Sequence, residues 1–162
     1  MADRGDLILL RHALAGRKLG DPLRDFIRPL DRHGLATAAA LTDAVLAQVR
    51  PSRIVSSPLR RCTETVRPLA ATLDLDVEEH DALRVGADPE ERDALLWAVP
   101  EHAVLCTHGE VLEQLFEGEV TCEKGGFWVV RRRAGRLLPL RYVAPPAAPV
   151  GRLVGAGSLA TR

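Results

Sequence analysis

The sequence predicts an α/β domain: a three-layer sandwich with a mostly parallel central sheet, helices on both faces and a C-terminal hairpin. Short apolar runs at 7–10, 54–56 and 103–107 alternate with longer stretches of helical spacing, the pattern of parallel strands joined by helices. Two further runs, 127–132 and 137–143, flank Ala134-Gly135 as an antiparallel hairpin. With 162 residues, 46% of them hydrophobic, the chain is ample for one core and short for two.

The elements follow in order. After the strand at 7–10 comes a polar stretch, 16–28, expected as a long loop over the strand ends. Asp31 is placed to cap a helix with the apolar stripe Leu35, Ala38, Thr42, Val45, Leu46 and Val49. Behind the strand at 54–56, Ser57 is expected to cap a second helix with Pro58 at its first position, where the missing N–H costs nothing. Leu59, Cys62, Val66, Leu69, Ala70 and Leu73 form its buried face, and Pro68 is expected to kink it or end its regular part. Asp88-Pro89-Glu90-Glu91 starts a third helix, with carboxylates at the positive end of its dipole. A short helix after Gly109 presents Val111, Leu112, Leu115 and Phe116 on one side. The organisation expected is one domain over 1–144 and a Pro/Ala/Gly-rich tail over 145–162.

Charge and cysteine usage narrow the function classes. The 22 basic and 22 acidic side chains cancel, which argues against a nucleic-acid polymer as partner. Arg131-Arg132-Arg133 is the one tight basic run, and it reads as a solvated face or edge strand. No apolar stretch approaches bilayer length and the N-terminus lacks a signal-peptide core, so no membrane is expected and the location reads as cytoplasmic. Three cysteines without CxxC spacing support neither a disulfide framework nor a zinc site; Cys62 and Cys106 read as inert buried thiols.

Three segments carry chemistry. The first strand ends on Leu9-Leu10-Arg11-His12-Ala13. The second runs through Ser56-Ser57-Pro58 into a helix start with Arg60 and Arg61, and Cys106-Thr107 delivers His108 and Gly109. Ligands of open α/β sheets bind outside the carboxyl ends of the strands. Alone, each piece fits a surface charge or a satisfied core histidine. Jointly, two histidines and at least two arginines behind buried strands point to a phosphate.

These segments, with Arg60-Arg61-Cys62-Thr63-Glu64-Thr65, resemble the three signatures of the histidine phosphatase superfamily, the phosphoglycerate-mutase-like group. The match runs from about Leu7 to Val130. Arg28-Pro29-Leu30 and Lys124-Gly125-Gly126-Phe127-Trp128 resemble a small branch, the SixA-type phosphohistidine phosphatases and the phosphatase domains joined to MutT-like hydrolases. The resemblance implies a phosphoglycerate-mutase-like fold and makes His12 the nucleophile, Arg11 and Arg61 the phosphate clamps and His108 a second phosphate contact beside Gly109. Arg60 falls on a variable position of the motif and receives no clamp role. Guanidinium groups near His12 would keep its imidazole neutral and nucleophilic and would neutralise the transferring oxygens.

One departure follows from the same comparison. Many members carry a proton-donating glutamate after a Leu-Arg-like pair; after Leu83-Arg84 this chain has Val85. Glu110, directly after His108-Gly109, is the candidate substitute, with a plain first-turn carboxylate as its other role and Glu79 and Asp88 behind it. The expectation is therefore a metal-independent phosphohydrolase working through a phosphohistidine intermediate, without cofactor. Its partner would be a phosphohistidine protein, as for SixA, or else a nucleotide or small phosphoanhydride. Rival readings are a catalytically weak phospholigand-binding module and a metal hydrolase with His12 and His108 as ligands, though no HxxxH motif accompanies them.

Overall fold

Leu7, Ile8, Leu9 and Leu10 are each at most 1% exposed, and they pack alternately to opposite sides of the sheet. A strand buried on both faces needs a layer over each, and the computed structural model, which describes residues 5–147, supplies both. The strands are β1 (Gly5–Arg11), β2 (Ile54–Ser56), β3 (Val77–Glu79), β4 (Val104–Thr107), β5 (Phe127–Arg133) and β6 (Arg136–Val143). They form one sheet in the order β3-β2-β4-β1-β5-β6. β3, β2, β4 and β1 are parallel, and β5 and β6 add antiparallel.

One face carries Ile8, Leu10, Ile54, Val104 and Phe127 against Leu41 and Val45 of α2 (Arg32–Leu46) and Cys62, Val66 and Leu69 of α3 (Arg60–Leu73). The other carries Leu7, Leu9, Val55, Leu105 and Val130 against Leu95 and Leu96 of α4 (Pro89–Ala98) and Leu112 of α5 (Gly109–Leu115). Burying each of these side chains stabilises the fold by roughly 1.5–3 kcal/mol before entropy is set against it. The three layers, the mostly parallel sheet and the terminal hairpin follow the sequence expectation. Ala134 and Gly135 both have positive φ, 51° and 74°, the geometry of a two-residue type I′ turn. Among the described residues no helix is long and apolar enough to cross a membrane.

Several local expectations are corrected. The segment 16–28 contains a short helix, α1 (Pro22–Phe26), capped by Asp21, which accepts from the Leu23 amide. It buries no residue, so no apolar stripe announced it. Ser57 is not the cap residue of α3: the helix begins at Arg60, the flanking Leu59 makes no side-chain cap bond, and the Ser57 hydroxyl accepts from the Leu59 amide at 3.5 Å and lies 2.8 Å from Nε2 of His108. Pro68 does not end α3, which runs on to Leu73 because Val66, Leu69 and Ala70 hold it against the sheet. Leu35 is 52% exposed, and the stripe of α2 runs instead through Gly34, Ala38, Leu41, Thr42 and Val45. β3 is too short to show a period in the sequence. Asp31 and Asp88 cap α2 and α4 as expected, accepting from the amides of Gly34 and Glu90.

The basic run is corrected in part: Arg131 and Arg133 are exposed, as a solvated face would have them, but Arg132 is not. β5 lies between β1 and β6 rather than at the edge, and Arg132 is 0% exposed. Its guanidinium donates to the carbonyls of Gly5, Leu96 and Val99, at 3.3, 3.0 and 2.6 Å. Leu96 and Val99 sit at the C-terminus of α4, where carbonyls lack intrahelical partners and a cation is favoured. The tail expected over 145–162 lies, beyond residue 147, outside the described residues.

Candidate active site

The parallel ladder continues past the strand ends and sets the positions of the side chains above it. The His12 amide donates to the Thr107 carbonyl at 3.0 Å, and the Ser57 amide to the Cys106 carbonyl at 2.9 Å. The loops leaving β1, β2 and β4 are thereby fixed side by side, as the three-segment pattern required. His12 and His108 meet edge to face with ring centroids 5.5 Å apart.

His12 is 6% exposed. Its Nδ1 lies 2.7 Å from the Ala13 carbonyl oxygen. A carbonyl only accepts, so Nδ1 carries the proton and Nε2 keeps its lone pair. Burial, then the neighbouring His108, Arg61 and Arg11, lower the pKa of the ring from 6.5 to about 3, against an opposing pull from the Ala13 bond. The imidazole is neutral at physiological pH. Thr65 secures this corner: its hydroxyl accepts from the Ala13 amide at 3.0 Å and donates to the Arg61 carbonyl at 2.6 Å.

Arg11 and Arg61 are held from behind. Arg11 donates from Nη1 to the Cys122 carbonyl at 2.8 Å, and Arg61 from Nη1 to the Asp25 carbonyl at 3.0 Å. Among the described residues, the buried side-chain nitrogens and oxygens without a partner are Nε of Arg11 and Nε of Arg61. A buried unpaired guanidinium donor is costly, and an anion is the group that removes the cost. Gly109 belongs to the same arrangement. A Cβ there would lie 2.7 Å from Cζ of Arg11, so a side chain at 109 would displace the guanidinium. Arg60 points away; its side chain is 56% exposed and pairs with Glu64 one turn on.

His108 is 1% exposed, and its Nε2 lies 2.8 Å from Oγ of Ser57 and 3.6 Å from Sγ of Cys62. Ser57 is thus a partner of His108, which its capping signature in the sequence concealed. Cys62 is buried as expected yet belongs to the site's wall. Burial would raise its thiol pKa, but hydrogen bonds from Cys106 and His108 and the charges of His108 and Arg61 lower it. Cys106 is pushed upward by burial.

The candidate acids separate clearly. Glu110 is exposed in the first turn of α5 and lines, with Arg11, Gly109, Glu113 and Cys122, a cavity of about 320 Å³ next to the site. Asp88 is occupied as the cap of α4, and Glu79 is exposed on the edge strand β3. Val85 is 50% exposed. A further carboxylate, which no motif in the sequence singles out, touches the site: Asp25, on α1, whose Oδ2 is 3.4 Å from Nη2 of Arg61. Its three-residue spacing to Arg28, with which it pairs at 3.1 Å, was the available signal. Among the described residues no three His, Cys, Asp or Glu side chains gather as a metal centre would need.

The chain is similar to known proteins in sequence and in fold. The family model of the histidine phosphatase superfamily (branch 1) matches residues 7–85. The fold is similar to that of a protein described as the phosphohistidine phosphatase SixA of Agrobacterium tumefaciens. The TM-score is 0.71 with 25% identity, covering 88% of this chain and 99% of that one. It is also similar in fold to the protein histidine phosphatase SixA in complex with tungstate, with TM-score 0.73 and 19% identity over 86% of this chain and 97% of that one. A curated relative, the 8-oxo-(d)GTP phosphatase of Mycolicibacterium smegmatis, is 29% identical over 89% of this chain and 49% of its own length. The chain therefore spans about half of that relative.

Proposed function

We propose that this chain, whose residues 7–85 match the family model of the histidine phosphatase superfamily, is a phosphatase that transfers the phosphoryl group of its substrate to His12 and then to water, with no metal required. One observation carries this reading. A neutral histidine with a free Nε2 stands beside two arginines whose buried Nε groups lack a partner. In the first step Nε2 of His12 forms a bond to phosphorus as the bond to the leaving group breaks. Arg11, Arg61 and His108 hold the phosphoryl oxygens and stabilise the charge they carry in the transition state. In the second step water attacks phosphorus, the N–P bond breaks, and inorganic phosphate leaves.

The substrate we propose is a phosphohistidine-bearing protein. Val85 supplies no proton at the position after Leu83-Arg84, and a phosphohistidine leaving group needs little help. The likeness to SixA structures supports the same reading. The M. smegmatis relative favours a second, a nucleoside polyphosphate, whose phosphoanhydride also leaves readily. A cytoplasmic setting is part of the proposal, supported by three free cysteines, Cys62, Cys106 and Cys122.

A substrate panel in the presence of a chelator tests both points, comparing phosphohistidine protein, nucleoside triphosphate, sugar phosphate and aryl phosphate. Phosphohistidine should turn over fastest, unaffected by chelation. A faster nucleotide would transfer the assignment to the second reading. Loss of activity on chelation that one divalent ion restores would overturn the metal-free mechanism.

A further inference from the structure

The guanidinium of Arg61 faces two ways. Its Nε is buried without a partner, while its far edge is committed to one residue of α1. That residue is Asp25, which receives Nη1 on its backbone carbonyl at 3.0 Å and Nη2 on its carboxylate at 3.4 Å. The same carboxylate takes Nε and Nη2 of Arg28 on its other oxygen, at 3.2 and 3.1 Å. Arg28 in turn donates to the Gly16 carbonyl at 2.7 Å, which closes the segment 16–28 on itself. The side chains of Arg61, Asp25 and Arg28 are only 8%, 22% and 14% exposed.

We propose that Asp25 is a positioning residue for phosphate capture, holding the guanidinium of Arg61 from behind so that its Nε edge is presented before substrate arrives; this rests on the phosphate-cradle reading above. A free arginine side chain has many rotamers, and fixing it beforehand removes that cost from the binding step. The carboxylate does not serve as the proton donor. Burial would raise its pKa, but Arg61 and Arg28 outweigh this and lower it, so it remains ionised. An ionised Asp25 also accounts for the Asp25-x-x-Arg28 spacing: Arg28 balances the charge that Arg61 alone would share with a bound phosphate.

A double-mutant cycle tests this, using Asp25→Asn, Asp25→Glu, Arg61→Ala and the two combinations. The readouts are kcat, KM and inhibition by inorganic phosphate, with an aryl phosphate as substrate. Asp25→Asn keeps the backbone carbonyl and the side-chain shape. It should weaken phosphate binding and kcat/KM about tenfold, the scale of one lost charge-assisted hydrogen bond. In the Arg61→Ala background it should cost nothing further, and Asp25→Glu should recover part of the loss. Additive losses, or phosphate binding and kcat/KM unchanged in Asp25→Asn, would overturn the positioning role while leaving the cradle intact. Wild-type phosphate binding by Arg61→Ala would overturn the cradle itself, and the proposal with it. Should Asp25→Asn fail to fold, the same cycle built on Asp25→Glu reads the coupling.

Discussion

Arg11 and Arg61 are mounted alike. Each donates from Nη1 to a backbone carbonyl, at 2.8 Å to Cys122 and at 3.0 Å to Asp25, and each keeps a buried Nε without a partner. They come from different elements, the end of β1 and the first turn of α3, so the shared mounting is a property of the site rather than of one loop.

From this pair follows the first prediction. Arg11→Ala and Arg61→Ala should each lower kcat/KM on the order of 10²-fold or more, because each removes a fixed charge aimed at the transferring oxygens. Gly109→Ala should weaken phosphate binding in the same sense, since its Cβ would displace Arg11. Arg60→Ala should cost little, its side chain being 56% exposed and paired with Glu64. Steady-state kinetics decides; greater sensitivity at Arg60 than at Arg61 would contradict the register of α3.

A second prediction concerns pH. With its pKa lowered from 6.5 to about 3, the His12 ring should show no proton uptake near neutrality. Its NMR signals should hold their neutral positions from about pH 8 to about pH 5. The linked stability has a defined sign. A group whose folded pKa is depressed contributes fully above the unfolded value, and that contribution is lost as the pH falls from 6.5 toward about 3. Replacing His12 by Ala should flatten the stability profile across that window, and a His12 titration near 6.5 would refute the assignment.

Leaving-group dependence supplies a third. Proton donation typically contributes about 10²–10⁴-fold. If no donor replaces the glutamate absent at Val85, rates should fall steeply as leaving-group pKa rises. If Glu110 acts, Glu110→Gln should slow alcohol phosphates selectively and spare an aryl phosphate. Efficient hydrolysis of alcohol phosphates unaffected by Glu110→Gln would contradict both forms.

The sequence was most legible where side-chain pattern and backbone position coincide. Leu7 to Leu10 announced a doubly covered strand, and its end located Arg11 and His12 at the carboxyl edge of the sheet. Long-range pairings were hidden. Ser57 carried a capping signature, but its hydroxyl meets His108, 51 residues on, which no local pattern encodes. Asp25 lay in a segment without an apolar stripe, and its role depends on the approach of α3. Arg132 looked solvated because the local charge pattern does not show that the C-terminus of α4 lies over its side of β5.

That arginine gives a fourth prediction. Arg132→Ala would leave the carbonyls of Gly5, Leu96 and Val99 without the donor they share. It should destabilise the fold by about 3 kcal/mol, measured by chemical denaturation, while kcat of the folded fraction stays near wild type. A loss of activity without a loss of stability would contradict this structural role.

The most direct test of the mechanism is to trap the covalent intermediate. Enzyme mixed with an aryl phosphate should be quenched in alkali within one turnover, where a phosphorus–nitrogen bond survives, and the phosphorylated peptide located by mass spectrometry. The phosphoryl group should lie on His12, absent from a folded His12→Ala protein that has also lost nearly all turnover. A phosphoryl group on another residue, or substantial turnover by folded His12→Ala, would contradict the account.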